Sequence, residues 1–166
     1  MKQRFINLYM DWAERLSQMS YAKRLQVGAV IVRDDSVISY GYNGSPSGWD
    51  NNCEDKIYCL SRDFNGNYLP GAEKEYPHED EFGRYKLKTK PEVLHAEMNA
   101  LMKLAKSNRS GDNAAIFITH APCMECAKGI YSAGITEVVY RNEYRSTDGV
   151  YFLRKCGIKV SKFEKE

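Results

Sequence analysis

Phe5, Leu8, Trp12, Leu16 and Met19 recur every three or four positions, a spacing that predicts a helix over residues 2–19 whose single apolar stripe faces the core. The β-branched run Val27 to Val32 reads as a strand, Asp34-Asp35 as a turn, and Val37 to Tyr42 as the returning strand of a hairpin. From Gly44 to about Pro91 the chain turns to Gly, Pro, Asn and charged residues with little periodicity, which marks a functional loop or insertion of about 45–91. Order resumes with Met98, Leu101, Met102 and Ala105 on a helix from about His95 to Lys106. A strand over Ala115 to Thr119 follows. A helix then runs from Cys123 to about Ala133, started by Pro122 and closed by Gly134. Thr136 to Tyr140, Gly149 to Lys155 and Ile158 to Phe163 complete the pattern as strand, helix and strand. The order αββαβαβαβ predicts a single three-layer α/β/α domain, residues 1–166, with a mixed sheet of about five strands.

Composition narrows the classes of function. With 43% hydrophobic and 28% charged residues the chain is an ordinary globular sequence. Its net charge of +2 is too small for wrapping a nucleic-acid backbone, so a nucleic-acid partner is not expected. No run of about 18 apolar residues occurs, so neither is a membrane span. Asn7, Asp11 and Glu14 interrupt the apolar residues near the start, and a cytoplasmic location is expected. Five cysteines, an odd number that includes one C-x-x-C, favour metal binding over a disulfide framework.

The chemistry concentrates in His95-Ala96-Glu97 and Pro122-Cys123-Met124-Glu125-Cys126. One imidazole and two thiolates suit zinc, and three protein ligands leave a fourth tetrahedral position for water, as catalytic zinc sites do. Cys123 and Cys126 stand three apart at a helix start, where they share a face and the helix dipole favours thiolates. Zinc with two thiolates and a neutral imidazole has formal charge zero and acidifies water less than a tris-histidine site, so a separate base is required. Glu97, two residues from His95, fills that role. A closed structural zinc with His120 as fourth ligand, a thioredoxin-like redox pair and a dehydrogenase-type zinc are the competing readings. The last lacks a G-x-G-x-x-G after a strand.

H-x-E followed by P-C-x-x-C is the pattern of zinc-dependent nucleobase deaminases. The chain resembles, more narrowly, the deoxycytidylate (dCMP) deaminase family. The match lies in Val27-Gly28-Ala29-Val30-Ile31-Val32, Gly41-Tyr42-Asn43-Gly44-Ser45-Pro46-Ser47-Gly48, His95-Ala96-Glu97-Met98-Asn99-Ala100 and Ala121 to Lys128, continuing through Ala133-Gly134-Ile135. The resemblance implies hydrolysis of dCMP to dUMP for thymidylate synthesis. Glu97 would take a proton from the activated water, pass it to N3 of the cytosine as oxygen adds at C4, and then protonate the departing amine. It also implies a homo-hexamer activated by dCTP and inhibited by dTTP, with Mg2+ accompanying the regulatory nucleotide. Another cytosine, guanine or tRNA-adenosine deaminase, or a nucleotide-binding regulator with structural zinc, remains the alternative.

By the same resemblance Asn43 meets the nucleotide sugar, Ala96 and Pro122 line the substrate site, and Gly44, Ser45 and Pro46 are candidates for the regulatory nucleotide. Tyr144 and Arg145 follow a strand, where α/β sheets carry ligand loops, and suit the base and a phosphate. Lys23, Arg24 and Lys128 are further phosphate candidates. Cys53, Cys59 and His78, within the insertion, are candidate ligands of a second zinc, and Cys156 reads as a small core residue.

Overall fold

The computed structural model describes residues 1–164. Its order of elements is α1 (Gln3–Ser17), β1 (Gly28–Arg33), β2 (Ser36–Tyr42), β3 (Glu54–Tyr58), α2 (Ala72–Glu75), β4 (His78–Asp80), β5 (Gly83–Thr89), α3 (Ala96–Ala105), β6 (Ala115–His120), α4 (Met124–Ser132), β7 (Glu137–Asn142), α5 (Asp148–Lys155) and β8 (Lys159–Lys162). Five strands form a mixed sheet in the order β2-β1-β6-β7-β8. β1 is antiparallel to β2 and β6, while β6, β7 and β8 run parallel through the crossovers α4 and α5. Asp34 and Asp35, both at positive φ (52° and 55°), make the two-residue turn of the β1–β2 hairpin.

The alternating strand faces divide the core. Ala29, Ile31, Ile116, Ile118 and Val138 pack under α3, α4 and α5, while Val30, Val32, Phe117 and Val139 pack under α1. Helices cover both faces, which gives the three-layer α/β/α architecture.

The buried face of α1 differs from the expected stripe. Tyr9, Met10 and Ala13 are buried, whereas Leu8, Trp12 and Met19 are exposed. The cause is the close approach of α1 to β1: a Cβ on Gly28 would lie 1.9 Å from the Ala13 carbonyl oxygen. Contact that tight selects a small residue on the helix and leaves Leu8 and Trp12 outward, while Phe5 and Leu16 of the expected stripe still pack against the core.

The insertion is also more ordered than its composition indicates. It folds as a separate antiparallel sheet, β3-β5-β4, in which Glu54 pairs with Thr89 and His78 with Tyr85. Neither face of β5 is fully buried, so its apolar and polar residues need not alternate. Two smaller corrections concern cysteines. Cys123 is the residue before α4, with Pro122 one position earlier still, and Cys156 is exposed at the end of α5 instead of lying in the core.

Candidate active site

The edge of the sheet that carries the C-terminal ends of β2, β6 and β7 also carries the N-terminal end of β1, because β1 runs antiparallel to its neighbours. The segments leaving those ends, with α3 and the insertion, enclose a cavity of about 240 Å³. Arg24, Leu25, Val27, Asn43, Thr89, Val93, His95, Ala96, Glu97, His120, Cys123 and Tyr144 line it.

His95 immediately precedes α3. The residue before it, Leu94, is fixed by a reciprocal backbone bridge to Gly44, with N–H to O distances of 3.1 and 2.9 Å. The start of α3 lies hard against β2, where a Cβ on Gly41 would stand 2.3 Å from the Ala96 carbonyl oxygen. Cys123 and Cys126 sit at the start of α4, at the positive end of its dipole. Gly149 at the start of α5 backs that turn, and a Cβ there would lie 2.2 Å from the Pro122 carbonyl oxygen.

These supports bring Nδ1 of His95 to 3.6 Å from the Cys123 sulfur and 3.3 Å from the Cys126 sulfur. Tetrahedral zinc, with Zn–S about 2.3 Å and Zn–N about 2.0 Å, holds such atoms about 3.5 Å apart, so the donor set fits that ion. His95, Cys123 and Cys126 form the only cluster of three potential metal ligands found among the described residues, and His120 is not part of it. The two thiols cannot both ionise easily when no cation is between them. Hydrogen bonding from Cys126, then from His95, holds the Cys123 thiol down to about 3, and the neighbouring sulfur with its burial pushes Cys126 up. A divalent cation resolves this conflict by favouring both thiolates.

Glu97 lies in the first turn of α3, 4% exposed, and burial pushes its carboxyl up to about 7. Such a group exchanges a proton readily near neutral pH. His120 is half-buried, 3.3 Å from the Thr119 hydroxyl, and burial lowers its pKa from 6.5, which keeps it neutral in the cavity wall.

The remaining candidates separate clearly. Tyr144 lines the cavity, and Arg145 lies over its ring, 5.5 Å from the centroid. Ala96 is in the wall, and Pro122 is buried just before Cys123. Asn43 faces the cavity, but its side chain also accepts from Val27 N–H and donates to the Leu25 carbonyl, each at 2.8 Å, so it shapes the segment 25–27. Ser45 lies beside Cys53, and Pro46 accepts from Trp49 N–H in a turn. Lys128 pairs with Glu125 away from the cavity, and Lys23 is not in its wall.

The second-metal candidates do not converge. Cys53 and Cys59 bracket β3, six residues apart, which is about 20 Å of extended chain. Cys53 contacts Ser45 and the Asn51 carbonyl, Cys59 the Ser61 carbonyl, and the exposed His78 stacks on Tyr85. Leu25, Thr89 and Val93 are wall residues that no motif pointed to. Thr89 is the hardest to foresee, since only the pairing of β5 with β3 carries it to the cavity.

A family model for the cytidine and deoxycytidylate deaminase zinc-binding region matches residues 3–142. The chain is 36% identical over 138 residues to ComE operon protein 2 of Bacillus subtilis, covering 83% of this chain and 59% of that protein. It is 31% identical over 166 residues to the deoxycytidylate deaminase of Enterobacteria phage T4, covering 87% of this chain and 82% of that one. Among solved structures, the dCMP deaminase from the cyanophage S-TIM5 in complex with dCMP and dUMP is 40% identical, with a TM-score of 0.76 over 98% of this chain and 99% of that one.

Proposed function

The chain belongs to the cytidine and deoxycytidylate deaminase family, and from that membership we propose that it converts dCMP and water to dUMP and ammonia. The observation that carries this reading is the position of Glu97: a buried acid in the same cavity wall as His95 and Cys123, which with Cys126 form a set of zinc donors. The similarity to a dCMP deaminase of nearly the same length supports the choice of substrate.

His95, Cys123 and Cys126 would hold zinc, which when bound would supply a Lewis acid that makes water reactive at neutral pH. The chain's own groups do the rest. Glu97 takes the proton from water and gives it to N3 of the cytosine as the oxygen bonds to C4. It then carries the second proton to the exocyclic nitrogen, the C4–N bond breaks, and ammonia leaves. The raised pKa of Glu97 suits both directions of transfer. Asn43 and the segment it holds form the wall for the sugar, Tyr144 covers the base, and Arg145 stands beside it as a cation for the phosphate.

Supply of dUMP for thymidylate synthesis, activation by dCTP, inhibition by dTTP, binding of the regulatory nucleotide with Mg2+ near Gly44, Ser45 and Pro46, a homo-hexamer and a cytoplasmic location are further parts of the reading. They rest on the resemblance to the family. Among the described residues, no helix is long and apolar enough to cross a membrane.

A substrate panel tests the proposal. Ammonia release is followed with cytidine, deoxycytidine, CMP, dCMP, dCTP, guanine and a tRNA, and dCMP is repeated with each triphosphate added. The expected result is the highest kcat/KM with dCMP. Preference for guanine or for a tRNA substrate, or no ammonia from any nucleotide, contradicts the reading.

A further inference from the structure

Glu54 is a buried acidic side chain, 4% exposed, in a part of the chain with no catalytic motif. Its Oε1 accepts two backbone N–H groups, from Lys23 at 3.0 Å and Arg24 at 3.1 Å. Directly opposite Glu54 in the β3–β5 register is Thr89, whose hydroxyl accepts from the Arg24 guanidinium at 3.2 Å. One cross-strand pair of the insertion therefore grips both the backbone and the side chain of Arg24. Asn43 holds the next turn of the same segment through Leu25 and Val27. Arg24, Leu25, Val27 and Thr89 all line the cavity.

Arg24 is exposed and takes part in no ion pair among the described residues. A guanidinium tethered through one neutral hydrogen bond and held in no ion pair at the cavity wall is an anion receptor in waiting, since its planar fork suits phosphate oxygens. We propose that Glu54 is a positioning residue that, with Thr89, fixes Arg24 to receive the substrate's monophosphate, so that the insertion sets the preference for a nucleotide over a nucleoside. This rests on the proposed deamination of dCMP. Glu54 acts through Arg24 and touches no substrate atom.

The experiment compares kcat and KM for dCMP and for deoxycytidine in the zinc-loaded wild type, Arg24→Ala, Glu54→Ala and Glu54→Gln. Arg24→Ala is expected to lower kcat/KM for dCMP by about 10- to 100-fold, through KM, and to leave deoxycytidine near the wild-type value. Glu54→Ala is expected to lower the dCMP to deoxycytidine ratio in the same way with zinc content unchanged. Glu54→Gln, whose amide oxygen still accepts both N–H groups, is expected to recover most of it. Arg24 is exposed, so its variant decides the phosphate role even where Glu54→Ala folds poorly, and Glu54→Gln then decides the positioning role through its retained ratio. The proposal is overturned if Arg24→Ala leaves the ratio at its wild-type value, or if Glu54→Ala or Glu54→Gln depresses both substrates alike. A wild type that releases no ammonia from dCMP contradicts the activity itself, whereas an active wild type with an unchanged ratio in Arg24→Ala contradicts the clamp alone.

Discussion

Glu97 combines two properties that rarely coincide: it is buried, and it sits within the first turn of a helix whose preceding residue is a metal-ligand candidate. In the proposed reaction it transfers protons, so Glu97→Ala is expected to keep its zinc and to lose about 100- to 10,000-fold in kcat, measured with metal content on the same sample. His120 makes a separate prediction. Burial lowers its pKa, so as pH falls below 6.5 the unfolded chain takes up a proton that the folded chain still refuses. Stability drops through that window and levels off below the folded pKa. His120→Gln should therefore lose less of its thermal midpoint than the wild type between pH 7.5 and pH 5.5; equal losses would exclude His120 as the cause. The zinc donors and Glu97 were readable from spacing because coordination chemistry constrains residue type locally. Asn43 was less so: its side chain holds backbone groups 16 and 18 positions away, a role that only the folded chain displays.

Glycines decide how the elements meet. Gly149 allows α5 to rest on the Pro122–Cys123 turn, and an added methyl would press on backbone that cannot yield without moving a zinc donor. Gly149→Ala is expected to destabilise the fold by about 1–3 kcal/mol and to reduce zinc occupancy, as read by thermal unfolding and metal analysis. Full occupancy at wild-type stability would show that the turn has slack. The hairpin, α3, α4, α5 and the five-strand sheet were legible because each has a buried face with its proper period. The face of α1 was misjudged for the opposite reason. Tyr9 and Ala13 stand four apart, as Leu8 and Trp12 do, and the choice between the two is made by the tight contact at Gly28, which no pattern in the helix records. The strands of the insertion escaped notice because a sheet without a buried face leaves no alternation to read.

Taken as one body, the molecule places every element of the proposed chemistry along one edge of its main sheet. The hairpin delivers Asn43, β6 leads to the two cysteines, β7 leads to Tyr144, and the second sheet closes the cavity with Thr89. The family resemblance pointed to Asn43, the C-x-x-C spacing to the cysteines and the place after a strand to Tyr144, whereas Thr89 depends on tertiary pairing within the insertion. The proposed chemistry uses a single metal ion, and among the described residues no second set of donors converges. The most direct test is a zinc titration of the metal-stripped protein with dCMP present, following dUMP formation. Activity should be absent at the start, rise in proportion to added zinc and saturate at about one ion per chain. Turnover by the stripped protein, or a requirement for two ions per chain, would contradict the account.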